Sequence, residues 1–273
     1  MAQVLVVTSG KGGVGKTTST AALGAALARA GKSVAVVDFD VGLRNLDLVM
    51  GAERRVVFDL INVIQGQANL NQALIRDKRV ENLYLLPASQ TRDKDALTDE
   101  GVAKVIGELR ERFDWVICDS PAGIERGATL AMRHADRAVI VTNPEVSSVR
   151  DSDRIIGMLD SKTEKAERGQ PMEKHLLLTR YDAARAERGD MLRTEDVLEI
   201  LSVPLLGIIP ESPAVLRASN IGSPVTLSNP DSAPAKAYAE AVKRLLGETV
   251  AVTVPKVVKP NLFGMLFGRR AAA

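Results

Sequence analysis

Gly10-Lys11-Gly12-Gly13-Val14-Gly15-Lys16-Thr17 is the stretch on which the reading of this chain turns. It satisfies G-x-x-x-x-G-K-[ST], the phosphate-binding P-loop, and it lies where that motif has to lie, between an apolar β-branched run and a helical pattern. The residue types explain the chemistry. Glycines let backbone N–H groups turn towards phosphate with no Cβ in the way, and the following helix adds the positive end of its dipole. Lys16 is expected to reach the β- and γ-phosphates and the Thr17 hydroxyl to bind Mg2+. Gly12, Gly13, Val14, Gly15 and Thr18 complete the expected ATP cradle.

Outward from the loop, short apolar β-branched runs alternate with helical patterns. The runs are 3–8, 33–38, 83–87, 115–119, 138–142, 175–179 and 204–209. This alternation predicts an α/β fold, a doubly wound and mainly parallel sheet with helices on both faces, as P-loop NTPases have. Val102, Val105, Ile106, Leu109 and Phe113 recur at helical spacing, as do Ala237, Tyr238, Ala241, Val242 and Leu245, and both stripes are expected to face the core. Gly31 and Gly247 stand where helix C-caps belong. One domain over 1–248 is the simplest division, followed by a Pro-containing linker or edge segment over 249–260.

A triphosphate site needs a carboxylate for Mg2+ or its waters. The run Trp115-Val116-Ile117-Cys118-Asp119 ends in one, and Asp119 takes that role. In the turn Ser120-Pro121-Ala122-Gly123 the Gly123 N–H is expected to face a γ-phosphate and to move when it leaves. The second strand ends Val36-Val37-Asp38-Phe39-Asp40, putting two acids at the carboxyl edge, where such sheets bind ligands. Asp40, farther past the strand, is the candidate to orient the attacking water, with Asp38 behind it. The plainer alternatives, a helix cap for Asp119 and turn residues for Asp38 and Asp40, stay open on sequence.

The 273 residues are 45% hydrophobic and 26% charged, which excludes a disordered or fibrous chain. Lys and Arg number 36 against 34 Asp and Glu, but Lys256, Lys259, Arg269 and Arg270 lie in a C-terminal stretch without acids. The remainder carries −2, against a surface built for nucleic acid, and no specific nucleic-acid partner is expected. A single cysteine, Cys118, excludes an intrachain disulfide framework and reads as a small buried hydrophobe in a reducing compartment. His134 and His175 lack partners at metal-ligand spacing and read as structural. No apolar run reaches the roughly 18 to 20 residues of a spanning helix, so the expected location is cytoplasmic, with a peripheral contact at the inner face of the cell membrane. Helical placement of 261–270 gathers Leu262, Phe263, Met265, Leu266 and Phe267 on one arc, a short amphipathic membrane-targeting helix. One such tail is expected to bind an anionic membrane weakly, and two on a dimer to gain by effective concentration.

Lys11 ahead of the two glycines is not part of an ordinary P-loop, and with it the chain resembles the deviant Walker A ATPases, specifically their MinD branch. The likeness includes residues 42–48, Asp119-Ser120-Pro121-Ala122-Gly123, residues 143–153 and Leu216-Arg217-Ala218-Ser219-Asn220. The resemblance implies an ATP-sandwiched homodimer in which Lys11 crosses to the partner's phosphates, Asp40 positions the water and Thr17 ligates Mg2+. Arg180 and Pro210 would frame adenine, and Glu145, Ser148, Asp151 and Asp153 would lie on a surface offered to regulators. It further implies an ATPase switch that attaches to the membrane with ATP, recruits the division inhibitor MinC to place the septum, and is released by MinE or a MinE-like regulator. The rival readings are a ParA-like partitioning or positioning ATPase, which the −2 body disfavours, and a scaffold that binds nucleotide without hydrolysing it.

Overall fold

The computed structural model describes residues 2–90 and 96–257. Eight strands form one sheet: β1 Gln3–Thr8, β2 Val34–Asp38, β3 Ile75–Arg76, β4 Leu83–Leu86, β5 Trp115–Asp119, β6 Arg137–Thr142, β7 Glu173–Tyr181 and β8 Leu205–Pro210. Their order is β3-β4-β2-β5-β1-β6-β7-β8, and every pairing is parallel except that of β3 with β4. The helices of eight or more residues are α1 Lys16–Arg29, α2 Asp99–Arg112, α3 Arg126–Arg133, α4 Val146–Leu159, α5 Thr194–Leu201, α6 Pro213–Asn220 and α7 Ala233–Leu245. The seven expected runs all form strands, most displaced by a residue or two at an end. β3 has only two residues, too few to show a period.

Both sheet faces are covered, which is why the strands read as continuous apolar runs. Along β1, Val4 and Val6 join a core beneath α2, α3, α4 and α5, while Leu5 and Val7 join a second beneath α1, α6 and α7. The stripe on α2 buries Val102, Val105, Ile106 and Leu109, and that on α7 buries Tyr238, Ala241, Val242 and Leu245. Gly31 and Gly247 close α1 and α7 in the left-handed region, each followed by an N–H reaching back five residues, Lys32 to Leu27 and Glu248 to Lys243. Residues 249–257 form no ladder with the sheet. Among the described residues no helix is long and apolar enough to cross a membrane, and the expected segment 261–270 lies outside them.

This topology puts the site where it is. From β1 the chain crosses α1 to β2 on one side, and later returns to β6 on the other, so the carboxyl end of β1 lies at the reversal of strand order. Asp38 and Asp119 pair in register at the carboxyl ends of β2 and β5.

Candidate nucleotide-binding site

The loop after β1 is held by hydroxyls. Ser9 Oγ donates to the Lys11 carbonyl at 2.7 Å, and Thr179 Oγ1, at the end of β7, donates to the Val14 carbonyl at 2.6 Å. Gly13 and Gly15 have φ of 76° and 97°, and a Cβ on either would meet nothing within 4 Å, so the cradle is open above them. Gly15 caps α1 without a side-chain bond, leaving the first N–H groups of the helix to a ligand. Gly10 is needed for a different reason: a Cβ there would lie 2.2 Å from the Asp151 carbonyl oxygen, so the loop packs directly on α4.

Lys16 is 8% exposed, and burial pulls its pKa down while the charges of Asp119 and Asp40 oppose that pull. Asp119 is 1% exposed; Thr20 Oγ1 donates to its Oδ1 at 2.8 Å, and the Thr17 hydroxyl bonds it as well. Burial nonetheless pushes Asp119 up to about 6, because the hydroxyls and Lys16 only partly offset desolvation. Asp38 accepts the N–H groups of Asp40 at 2.8 Å and Leu46 at 3.2 Å, yet burial, and next the neighbouring Asp119, raise it well above the usual carboxylate range. Two acids in register on adjacent strands repel when both are ionised. Buried carboxylate and hydroxyl oxygens beside an ammonium are a hard-oxygen donor set, and it fits Mg2+ with phosphate.

The sign of the pH dependence follows. In the apoprotein Asp119 holds its proton to a higher pH than in the unfolded chain, so this group's contribution to stability is full below the ordinary carboxylate pKa and declines as pH rises through about 6. Mg2+ needs the ionised form. Mg-nucleotide affinity should therefore rise from pH 5 to pH 7, with proton release on binding below pH 6, measurable by titration calorimetry in buffers of different ionisation enthalpy. Affinity flat across that range would contradict the placement of Asp119 at the cation.

Lys11 lies within its own chain's reach of α4. Its Nζ donates to Glu145 Oε2 at 3.2 Å and to Ser147 Oγ at 3.0 Å, both exposed contacts. The Gly123 N–H donates to the Ser9 carbonyl at 3.1 Å, which ties the turn to the P-loop. Of the four residues expected on a regulator surface, Glu145 and Asp153 are exposed and Asp151 is half-buried beside Gly10. Ser148 is not on that surface: helical spacing turns it inward, leaving it 1% exposed, and Val146 and Ser147 occupy the outer face. His134 and His175 pair with Glu164 and Glu173 at 2.8 and 2.9 Å, and burial pushes the Cys118 thiol up to about 12, which keeps it protonated at neutral pH.

Gly13, Gly15 and Thr18 share a cavity of about 310 Å³ with Arg180 and Pro210. Arg180, at φ 55°, donates to Glu211 at 3.1 Å across the mouth. Val215, Leu216 and Ser219 of α6 and Tyr238 of α7 complete the wall. Sequence reading did not assign Thr20, Thr179, Val215 or Tyr238 to the site, because each meets the loop through tertiary contact, and it gave no role there to Ser147, Leu216 or Ser219 although they lie in stretches that carry the resemblance.

The chain matches the CobQ/CobB/MinD/ParA nucleotide binding domain over residues 5–225. It is 62% identical over 271 residues to the septum site-determining protein MinD of Escherichia coli (strain K12), covering 98% of this chain and 100% of that one. Its structure resembles MinD of the Aquifex aeolicus MinC:MinD cell division complex, with a TM-score of 0.80 and 41% identity over 93% of this chain and 99% of that one. It also resembles the Pyrococcus horikoshii MinD complexed with Mg-ADP, with a TM-score of 0.79 and 32% identity over 90% and 96% of the two chains.

Proposed function

We infer that this chain, which belongs to the MinD family of septum-site-determining ATPases, is an ATP-hydrolysing switch that pairs with a second copy when ATP is bound, attaches to the membrane and recruits MinC. The observation that carries the reading is the buried cluster of Lys16, Asp119 and Asp38 beneath an uncapped helix N-terminus. Those groups are costly to bury without a ligand, and Mg-ATP offers phosphate oxygens to Lys16 and a cation to Asp119. The E. coli relative, similar along its whole length, supports septum placement, the Aquifex complex supports MinC as partner, and the Pyrococcus complex supports Mg2+ with adenine nucleotide.

Each residue has a task within that reading. Backbone N–H groups of residues 12 to 17 hold the phosphates, with Lys16 on the outer ones. Thr17 and Asp119 would hold Mg2+, which would supply neutralisation of the charge that develops on the phosphates. Asp40 lies past the end of β2 beside Lys16 and orients the water. Arg180 and Pro210 border the base. In the dimer Lys11 leaves Glu145 and Ser147 for the partner's phosphates; breaking that exposed pair costs at most about 1 kcal/mol, so it does not hold the switch shut. Freed Glu145, with Asp151 and Asp153, then stands on the surface met by MinC or a MinE-like regulator.

Asp40→Ala distinguishes an ATPase from a scaffold. Phosphate release with ATP and anionic vesicles should fall roughly 10²- to 10⁴-fold, the range for losing a positioned base, while ATP-dependent pairing persists. Undiminished turnover would remove Asp40 from the mechanism, and no turnover in the unaltered protein would favour the scaffold.

A further inference from the structure

Residues 248–257 leave the end of α7 at Gly247, on the side of the sheet covered by α1 and α7. Arg244, on the last turn of α7, is 11% exposed and spends its guanidinium on this segment. Nε donates to the Val250 carbonyl at 2.7 Å, Nη2 to the Ala251 carbonyl, and Nη1 to the Leu206 carbonyl of β8 at 2.7 Å. Glu240, one turn earlier, takes Arg244 Nη2 at 3.4 Å and Thr253 Oγ1 at 3.3 Å on the same oxygen. One planar, five-donor group thus ties helix, edge strand and extended segment together, which an ammonium could not do.

The segment also changes sides. Val252 packs against the core under α2 to α5, opposite to α7. Val254 to Val257 then line a cavity of about 400 Å³ with Tyr181, Ala183, Glu187 and Arg193. Leu206 is near the amino end of β8, the last strand of the sheet, whereas Tyr181 ends β7 at the carboxyl edge. The chain therefore wraps the open edge of β8 and delivers residue 257 to the edge that carries the P-loop. An uncovered strand edge is a pairing hazard, but a covering need not have ended at this place.

We propose that Arg244 is a positioning residue for membrane attachment: it straps 248–257 around β8 and so fixes at the carboxyl edge the point, residue 257, from which the chain runs on to the expected amphipathic segment. The inference rests on the membrane reading above. With the strap released, ten more residues join the three between 257 and 261, a roughly fourfold longer tether. By the −3/2 power dependence of effective concentration on tether length, the second tail of a dimer then engages roughly tenfold less effectively.

The test uses the full chain, unaltered and as Arg244→Ala, sedimented with phosphatidylcholine–phosphatidylglycerol vesicles in a non-hydrolysable ATP analogue and Mg2+. Dimer yield is read without lipid, and elastase cleavage between 250 and 254 reports the strap. Arg244→Ala should keep its dimer, be cut at least several times faster, and bind vesicles about tenfold more weakly. Arg244→Lys should behave like Arg244→Ala, and removing 250–255 in the Arg244→Ala background should recover binding roughly two- to threefold by taking up part of the slack. Equal vesicle affinity despite faster cleavage, or unchanged cleavage, would overturn the role of Arg244. Unaltered protein that stays in the supernatant would instead overturn the membrane reading, and this inference with it.

Discussion

Lys16→Ala should abolish ATP-dependent dimerisation. Lys16 is almost wholly buried, with Asp119 and Asp40 as its charged neighbours at the start of α1. A charge-assisted bond to phosphate contributes about 1.5 to 3 kcal/mol, and its loss also leaves Asp119 without a nearby cation. Nucleotide affinity should fall roughly 10- to 100-fold or more per subunit. Because a sandwich dimer needs both nucleotides, the effect enters twice, and dimerisation at fixed nucleotide should drop by roughly 10²- to 10⁴-fold. Size-exclusion chromatography with light scattering checks this. A variant that dimerises with ATP as readily as the unaltered chain would show that Lys16 is not on the phosphates.

Phe263→Glu should leave that dimer intact and remove it from the membrane. The residue lies outside the described part of the chain, so the expectation comes from the sequence pattern. Burying a Phe contributes about 1.5 to 3 kcal/mol, and a new negative charge beside an anionic leaflet costs about 1 kcal/mol more. Doubled over two tails, the loss is about 5 to 8 kcal/mol, and pelleting with anionic vesicles should fall below detection. Phe263→Glu that still pellets in ATP would disprove the assignment of 261–270 as the anchor.

What was legible in the sequence was what the chain specifies locally. The P-loop, seven of the eight strands and both capping glycines rest on patterns a few residues long, and buried parallel strands are uniformly apolar whatever their neighbours. β3 was not legible, since two residues at an antiparallel edge leave no period. The proximity of Asp38 to Asp119 depends on strand order and register, which put residues 81 apart side by side. Likewise the contact of Lys11 with Glu145 spans 134 positions, and the cavity wall drawn from α6 joins the P-loop from about 200 residues away. Ser148 was misjudged because a motif marks a stretch of chain, whereas the helix decides which of its residues face outwards. The strap was illegible for a related reason: Arg244 is an ordinary last-turn basic residue until its three carbonyl partners are seen together.

The mass of the purified chain, measured by light scattering in saturating non-hydrolysable ATP analogue with Mg2+ and again in ADP, tests most directly whether the γ-phosphate joins two subunits. The account predicts about twice 29.3 kDa with the analogue and 29.3 kDa with ADP. A single-chain mass under both conditions would contradict it.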